Sequence, residues 1–156
     1  MTYFEDIENY IKDLCIKHKK LLHGNGGVSF IQLGIDGETT TVTNRKKTYL
    51  RMMDVSASEF NESALVWAVQ MAFLYELPAM RTNADVDAAS KLTQEILYDF
   101  AARIEAQLDE GCYFVNRLQS GTIDPVGITD NSAIGWAYTW RFLTDKPNYN
   151  ANAWEE

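Results

Sequence analysis

The sequence predicts an α+β domain: a mainly antiparallel sheet of roughly four to five strands packed against two helices. Three observations carry that prediction. From Ile134 to Phe142, Ile134, Trp136, Tyr138, Trp140 and Phe142 alternate with Gly135, Ala137, Thr139 and Arg141, the period-two signature of a strand with one heavy aromatic face. Val86, Ala89, Leu92, Ile96, Phe100, Ile104 and Leu108 recur at three or four residues, which marks a long amphipathic helix. The strand-like stretches also cluster between helical ones instead of alternating with them singly, which favours α+β over βαβ repeats.

Phe4, Ile7, Tyr10 or Ile11, Leu14, His18 and Leu21 or Leu22 fall at helical spacing. Acids gather at the start (Glu5, Asp6, Glu8) and lysines at the end (Lys17, Lys19, Lys20), the order a helix dipole favours. Gly24-Asn-Gly-Gly27 ends this first helix. Val28 to Ile35, rich in β-branched and aromatic residues, predicts a strand that stops at the tight-turn dipeptide Asp36-Gly37. Residues 36–47 read as an exposed hairpin arm or a long loop, because Thr39 to Thr43 carry little apolar content and Asn44-Arg-Lys-Lys47 interrupts them. Lys47 to Val55 predicts a strand with Tyr49, Met53 and Val55 sharing a face with Arg51, and residues 56–62 a polar connection.

Ala64 to Leu77 admits two readings. As a strand it puts Leu65, Trp67, Val69, Met71, Phe73, Tyr75 and Leu77 on one face without a gap; as a helix it is apolar nearly all round. The unbroken alternation, and Pro78 just beyond, favour the strand. Thr82-Asn83-Ala84-Asp85 supplies caps for the second helix, and Gly111 closes it. Tyr113 to Ile123 predicts a strand with a bulge or bend at Ser120-Gly121, and a turn through Asp124-Pro125 and Asp130-Asn131-Ser132 leads into the aromatic strand. Residues 1–143 thus form a single domain, and 144–156 a polar tail that carries Tyr149 and Trp154.

Composition narrows the function. A chain of 156 residues is long enough to bury about 70 % of its unfolded surface in one core. Its net charge of −8 is the wrong sign for gripping nucleic acid, where phosphate neutralisation supplies most of the affinity. The first residues lack the basic start and apolar run of a secretory signal, and the apolar run Ala64 to Leu77 is too short to span a bilayer. The chain therefore reads as made in the cytoplasm. Cys15 and Cys112, the only cysteines, read as small buried hydrophobes.

Catalytic and ligand-binding patterns fare poorly. His18 and His23, the only histidines, are not spaced i, i+4 as a helical metal pair requires, so neither a metal nor a cofactor is expected. Gly24-Asn-Gly-Gly27 follows a helix where a phosphate loop follows a strand, and it lacks the Lys-Ser/Thr that completes one. No serine stands in a G-x-S-x-G elbow. Glu76, inside an apolar strand, is either a buried functional acid or a sheet-face residue paired with Arg51 or Arg141, the second being the commoner arrangement. No catalytic residue is expected. The aromatic load of four Trp, eight Tyr and seven Phe exceeds what one small core requires, which points some of them to protein contacts. Tyr149 and Trp154 in the tail are the candidates; the tail either presents them to a partner or folds back on its own domain. The arm adds Asp36, Gly37, Thr40, Val42 and Arg45 as candidate subunit or partner contacts.

The chain resembles the tail-terminator and neck-ring proteins of tailed bacteriophages, most of all those encoded by phages and prophages of Bacteroides-type bacteria. The likeness rests on Lys47-Thr-Tyr-Leu-Arg-Met-Met-Asp54, on the helix from Asp85 to Glu110, and on Asp130-Asn-Ser-Ala-Ile-Gly-Trp136 running into Ala137-Tyr-Thr-Trp-Arg-Phe142. It implies a non-enzymatic α+β subunit of a homo-oligomeric ring of about six or twelve copies, closed by head-to-tail contacts. Its implied partners are other copies of itself and portal-adaptor, neck or tail-tube proteins, with DNA only as non-specific passing cargo and no membrane. Its implied place is the neck or tail junction of the virion. The Gly24-Asn-Gly-Gly27 linker and the tail aromatics depart from that pattern.

Overall fold

A computed structural model describes residues 3–21, 28–32, 45–60, 64–109, 123–127, 133–145 and 151–155. Helix α1 spans Tyr3–Lys17, strand β1 Val28–Gln32, β2 Arg45–Phe60, β3 Ala64–Glu76, helix α2 Asn83–Asp109, β4 Asp124–Val126 and β5 Ala133–Asp145; a 3-10 turn follows at Ala151–Ala153. The strands form one sheet in the order β1-β2-β3-β5-β4, antiparallel except for the parallel pair β1–β2. The α+β class is as the sequence predicts.

The long central pairing explains why Ala64–Glu76 is a strand. Each residue of β3 from Ala64 to Glu76 has a partner on β5, from Asp145 back to Ala133, and β2 pairs along its other side. A helix-ambiguous apolar run is thereby satisfied on both edges by backbone hydrogen bonds, and both its faces are available for burial. On one face Val69, Met71 and Phe73 meet Leu50 and Met52 of β2 and Trp140 and Phe142 of β5. The two helices lie on this face and contribute Ile7, Ile11, Leu14, Cys15, Ile96, Leu97, Phe100 and Ile104. Phe73 sits edge-on to Phe100 at 4.8 Å and to Trp140 at 6.1 Å, the geometry aromatic quadrupoles prefer.

The opposite face is lighter but also buried. Tyr49, Ala72, Leu74, Ala133 and Ala137 form a second cluster there, with Val126 packed against it. The sequence reading of β2 needs correction at this point. Tyr49 and Arg51, opposite Leu74 and Ala72, do share a face, but Leu50 and Met52 supply the helix-side core. A β-bulge between Met52 and Val55 then sets residue 55 opposite Val69, a helix-side residue, so the alternation reverses parity. The polar connection expected over 56–62 is also corrected. Residues 56–60 continue β2 through a second bulge between Ala57 and Glu59, because β3 offers ladder partners as far as Leu65.

Three further differences have local causes. Helix α1 ends at Lys17, not at Leu21 or Leu22: His18 N–H still bonds to Leu14 O at 3.0 Å, but the His18 ring then accepts the Lys20 amide at 3.1 Å and turns the chain. Leu21 remains fully buried after that turn. Asp124-Pro125, expected as part of a turn, opens the short edge strand β4, where Pro125 is tolerated beside Trp136 of β5. β1 and β2 pair in parallel, with Phe30 opposite Leu50 and Ile31 opposite Arg51. Of the expected arm, residues 36–44 lie outside the described residues, while Arg45 to Lys47 begin β2. The strand expected over Tyr113–Ile123 lies outside them too, apart from Ile123, which precedes β4.

Helix α2 starts as its sequence dictates. Thr82 Oγ1 accepts the Asp85 amide at 3.2 Å, Asp85 Oδ2 accepts the Thr82 amide at 2.8 Å, and Val86 N–H closes the first helical bond to Thr82 O at 3.2 Å. This is a reciprocal capping box with aspartate at its third position.

Candidate functional site

Two places on the molecule stand out: the C-terminal turn and the seam between the helices. At the turn, Trp154 N–H bonds to Ala151 O at 3.3 Å, and the Trp154 side chain is 68 % exposed. A tryptophan left this open forgoes the burial that usually stabilises it. Tyr149, Asp36, Gly37, Thr40 and Val42 lie outside the described residues. Arg45 opens β2, its backbone in register with Val28. Of the seven sequence-predicted contact residues, Arg45 and Trp154 are thus the two among the described residues.

The helical seam has a readable ladder of polar pairs. Tyr10 OH donates to Gln107 Oε1, His18 Nε2 meets Asp99 Oδ2 at 2.9 Å, and Lys20 pairs with Glu95. As residue numbers rise on α1 they fall on α2, so the helices run antiparallel. Because the His18 Nδ1 accepts the Lys20 amide, the ring proton resides on Nε2 and is donated to Asp99. The ring also leans on Phe100, with centroids 5.7 Å apart. His18 is thus a satisfied structural histidine that fixes both the end of α1 and its distance from α2.

Beside this pair opens a groove of about 350 Å³ lined by Leu14, Lys17, His18, Asp99, Phe100 and Arg103. Its floor is apolar, from Leu14 and Phe100. Its rim carries both signs: Lys17 is bonded to Asp13 at 2.7 Å and Asp99 accepts the His18 Nε2–H, while exposed Arg103 joins none of the ion pairs among the described residues. Sequence reasoning missed this groove. Asp99 and Arg103 look like ordinary solvated residues of an amphipathic helix, and only the fold sets them beside the end of α1.

Other candidates resolve into structural roles. Cys15 is fully buried, and burial pushes its thiol up to about 12, as a small core hydrophobe requires. Glu76 is registered opposite Ala133, four residues along β3 from Ala72, which faces Arg51, and eight from Ala68, which faces Arg141. Trp136 donates its indole N–H to Ser90 O at 3.0 Å and Ser90 Oγ at 3.2 Å, which ties β5 to α2. Among the described residues, no three His, Cys, Asp or Glu side chains gather as a metal set. No described helix is long and apolar enough to cross a membrane. Among known proteins, no family model and no curated sequence matches the chain.

Proposed function

We propose that the chain is a structural subunit of a tailed-phage virion, one copy of a homo-oligomeric ring at the head–tail junction, with a central channel for DNA. The observation that carries the reading is Trp154, 68 % exposed on a defined turn beyond the last strand. Closing a ring head to tail needs two different patches on each subunit, one reaching and one receiving. The described pieces that carry the sequence resemblance also support it: Lys47–Asp54 within β2, the long α2, and β5 belong to one continuous sheet-and-helix unit around β3. A chain of net charge −8 suits a channel wall along which DNA slides, since like charge repels the phosphate backbone. Its partners on this reading are its own copies and neighbouring portal-adaptor, neck or tail-tube proteins, and its mechanism is shape without a chemical step.

The test is the solution mass of the purified chain by light scattering, for the full length and for a truncation after Asp145, the last residue of β5. A ring subunit is expected to give a multiple of about six or twelve copies that falls on truncation. The same two proteins are also mixed with isolated portal and tail particles. A chain that stays monomeric or dimeric and joins neither particle would overturn the ring and leave a soluble protein-binding adaptor in its place.

A further inference from the structure

We infer that the groove between α1 and α2 receives the Trp154-Glu155-Glu156 segment of a second copy of this chain. The inference deepens the ring reading and rests on it for the biological setting, though not for the contact itself. Three observations meet here. The groove of about 350 Å³ has an apolar floor in Leu14 and Phe100 and falls within the range of small ligand clefts. Trp154 offers an indole of matching character and is 68 % exposed on its own chain, so its own fold leaves it unspent. The charges are complementary: Trp154 is followed by two glutamates, Glu155 being exposed, and Arg103 at the groove rim joins none of the ion pairs among the described residues.

The geometry of recognition follows from those parts. The indole lies over Leu14 and Phe100 with its edge toward the His18 ring, and the Glu155 carboxylate reaches the Arg103 guanidinium, a planar donor suited to a carboxylate. The Asp99 carboxylate, which accepts the His18 Nε2–H at 2.9 Å, keeps its negative charge, so the incoming acid is steered to Arg103, one turn further along α2. Donor segment and receiving groove are different surfaces, so the contact is heterologous and propagates from copy to copy until the ring closes. One tryptophan and a salt link bury far less than the roughly 1,200–2,000 Å² of a stable pairwise interface. The contact is therefore weak between two free copies and effective in a closed ring, where each copy is held at both ends.

The experiment mixes ¹⁴N- and ¹⁵N-labelled full-length chains at high concentration and couples amines to carboxylates with a zero-length carbodiimide. Coupled peptides are then read by mass spectrometry. Peptides joining Lys17 of one isotope to Glu155 or Glu156 of the other are expected, with at least a fivefold loss in Trp154→Ala and in Arg103→Glu. Partial recovery is expected when Arg103→Glu is combined with Glu155→Arg. Both singly changed residues are exposed, and circular dichroism checks that each variant keeps its fold. Coupling confined to one isotope would mean that the tail seats in its own groove and would overturn the inference, as would intermolecular coupling unchanged in both variants. Assembly into rings without this coupling sinks the groove contact and spares the ring. Mixed-isotope coupling in a species that never exceeds a dimer sustains the contact and sinks the ring.

Discussion

Gly135 shows how one atom can decide a position. It stands on β5 opposite Leu74, and a Cβ added there would lie 1.7 Å from the Phe73 carbonyl oxygen and 3.1 Å from the Leu74 Cα. The obstacle is backbone of the central strand, which cannot swing aside as a side chain can. Gly135→Ala is expected to cost roughly 3 kcal/mol, lowering the melting temperature by about 10 °C for a domain of this size; calorimetry that finds the variant within a degree of the parent would refute the close approach. Cys15 makes a different kind of statement. With its thiol held up to about 12 in the core while an unfolded cysteine titrates near about 8.5, the unfolded chain releases its proton first. This contribution is fully present below about pH 8.5 and is lost as pH rises toward the folded value, by up to about 1.4 kcal/mol per pH unit. Denaturant titrations from pH 8 to 11 should therefore show a steeper alkaline loss for the parent than for Cys15→Ala, and parallel curves would rule the effect out.

At the scale of elements, the sequence was legible wherever periodicity and local chemistry agreed. The cap of α2 is an example: the Thr82 and Asp85 side chains each accept the other's backbone amide, as their spacing suggests. Thr82→Ala should lose about 1 kcal/mol by leaving the Asp85 amide without its side-chain acceptor, while Thr82→Ser should restore nearly all of it; urea midpoints that do not separate the two variants would show the cap to be idle. Strand β3 and the aromatic face of β5 were readable for the same reason, since their alternation runs unbroken through the core. What local pattern could not reveal depends on partners distant in sequence. The parity reversal of β2 comes from a bulge against β3, and the strand character of Asp124–Val126 comes from lying beside Gly135 and Trp136. The parallel register of β1 is likewise a property of the sheet and not of Val28–Gln32. The helical groove belongs with these: Leu14, Phe100 and Arg103 acquire a shared meaning only when α1 turns at His18 and lies antiparallel to α2.

For the molecule as a whole, the sheet sets a gradient of stability from its middle to its margins. Strand β3 is hydrogen-bonded on both sides and contributes Met71 and Phe73 to one cluster and Ala72 and Leu74 to the other, so opening it breaks two pairings and both cores. Strand β4 has three residues and one described partner, and the turn at Ala151–Ala153 buries no side chain. Amide exchange in a folded protein follows the cheapest opening that exposes each group, so β3 should exchange only with global unfolding while β4 and residues 151–155 exchange by local opening. Assembly acts on the other end of this gradient. If copies meet through the tail, raising the concentration should slow exchange at 151–155 and along the facing turns of α1 and α2, and leave β3 unchanged because it is already limited by global stability. Hydrogen-exchange mass spectrometry at two concentrations reads both effects together. Slowing that appears along β3 instead, or a tail whose exchange is the same in assembled and dilute samples, would show that the copies do not meet through the tail.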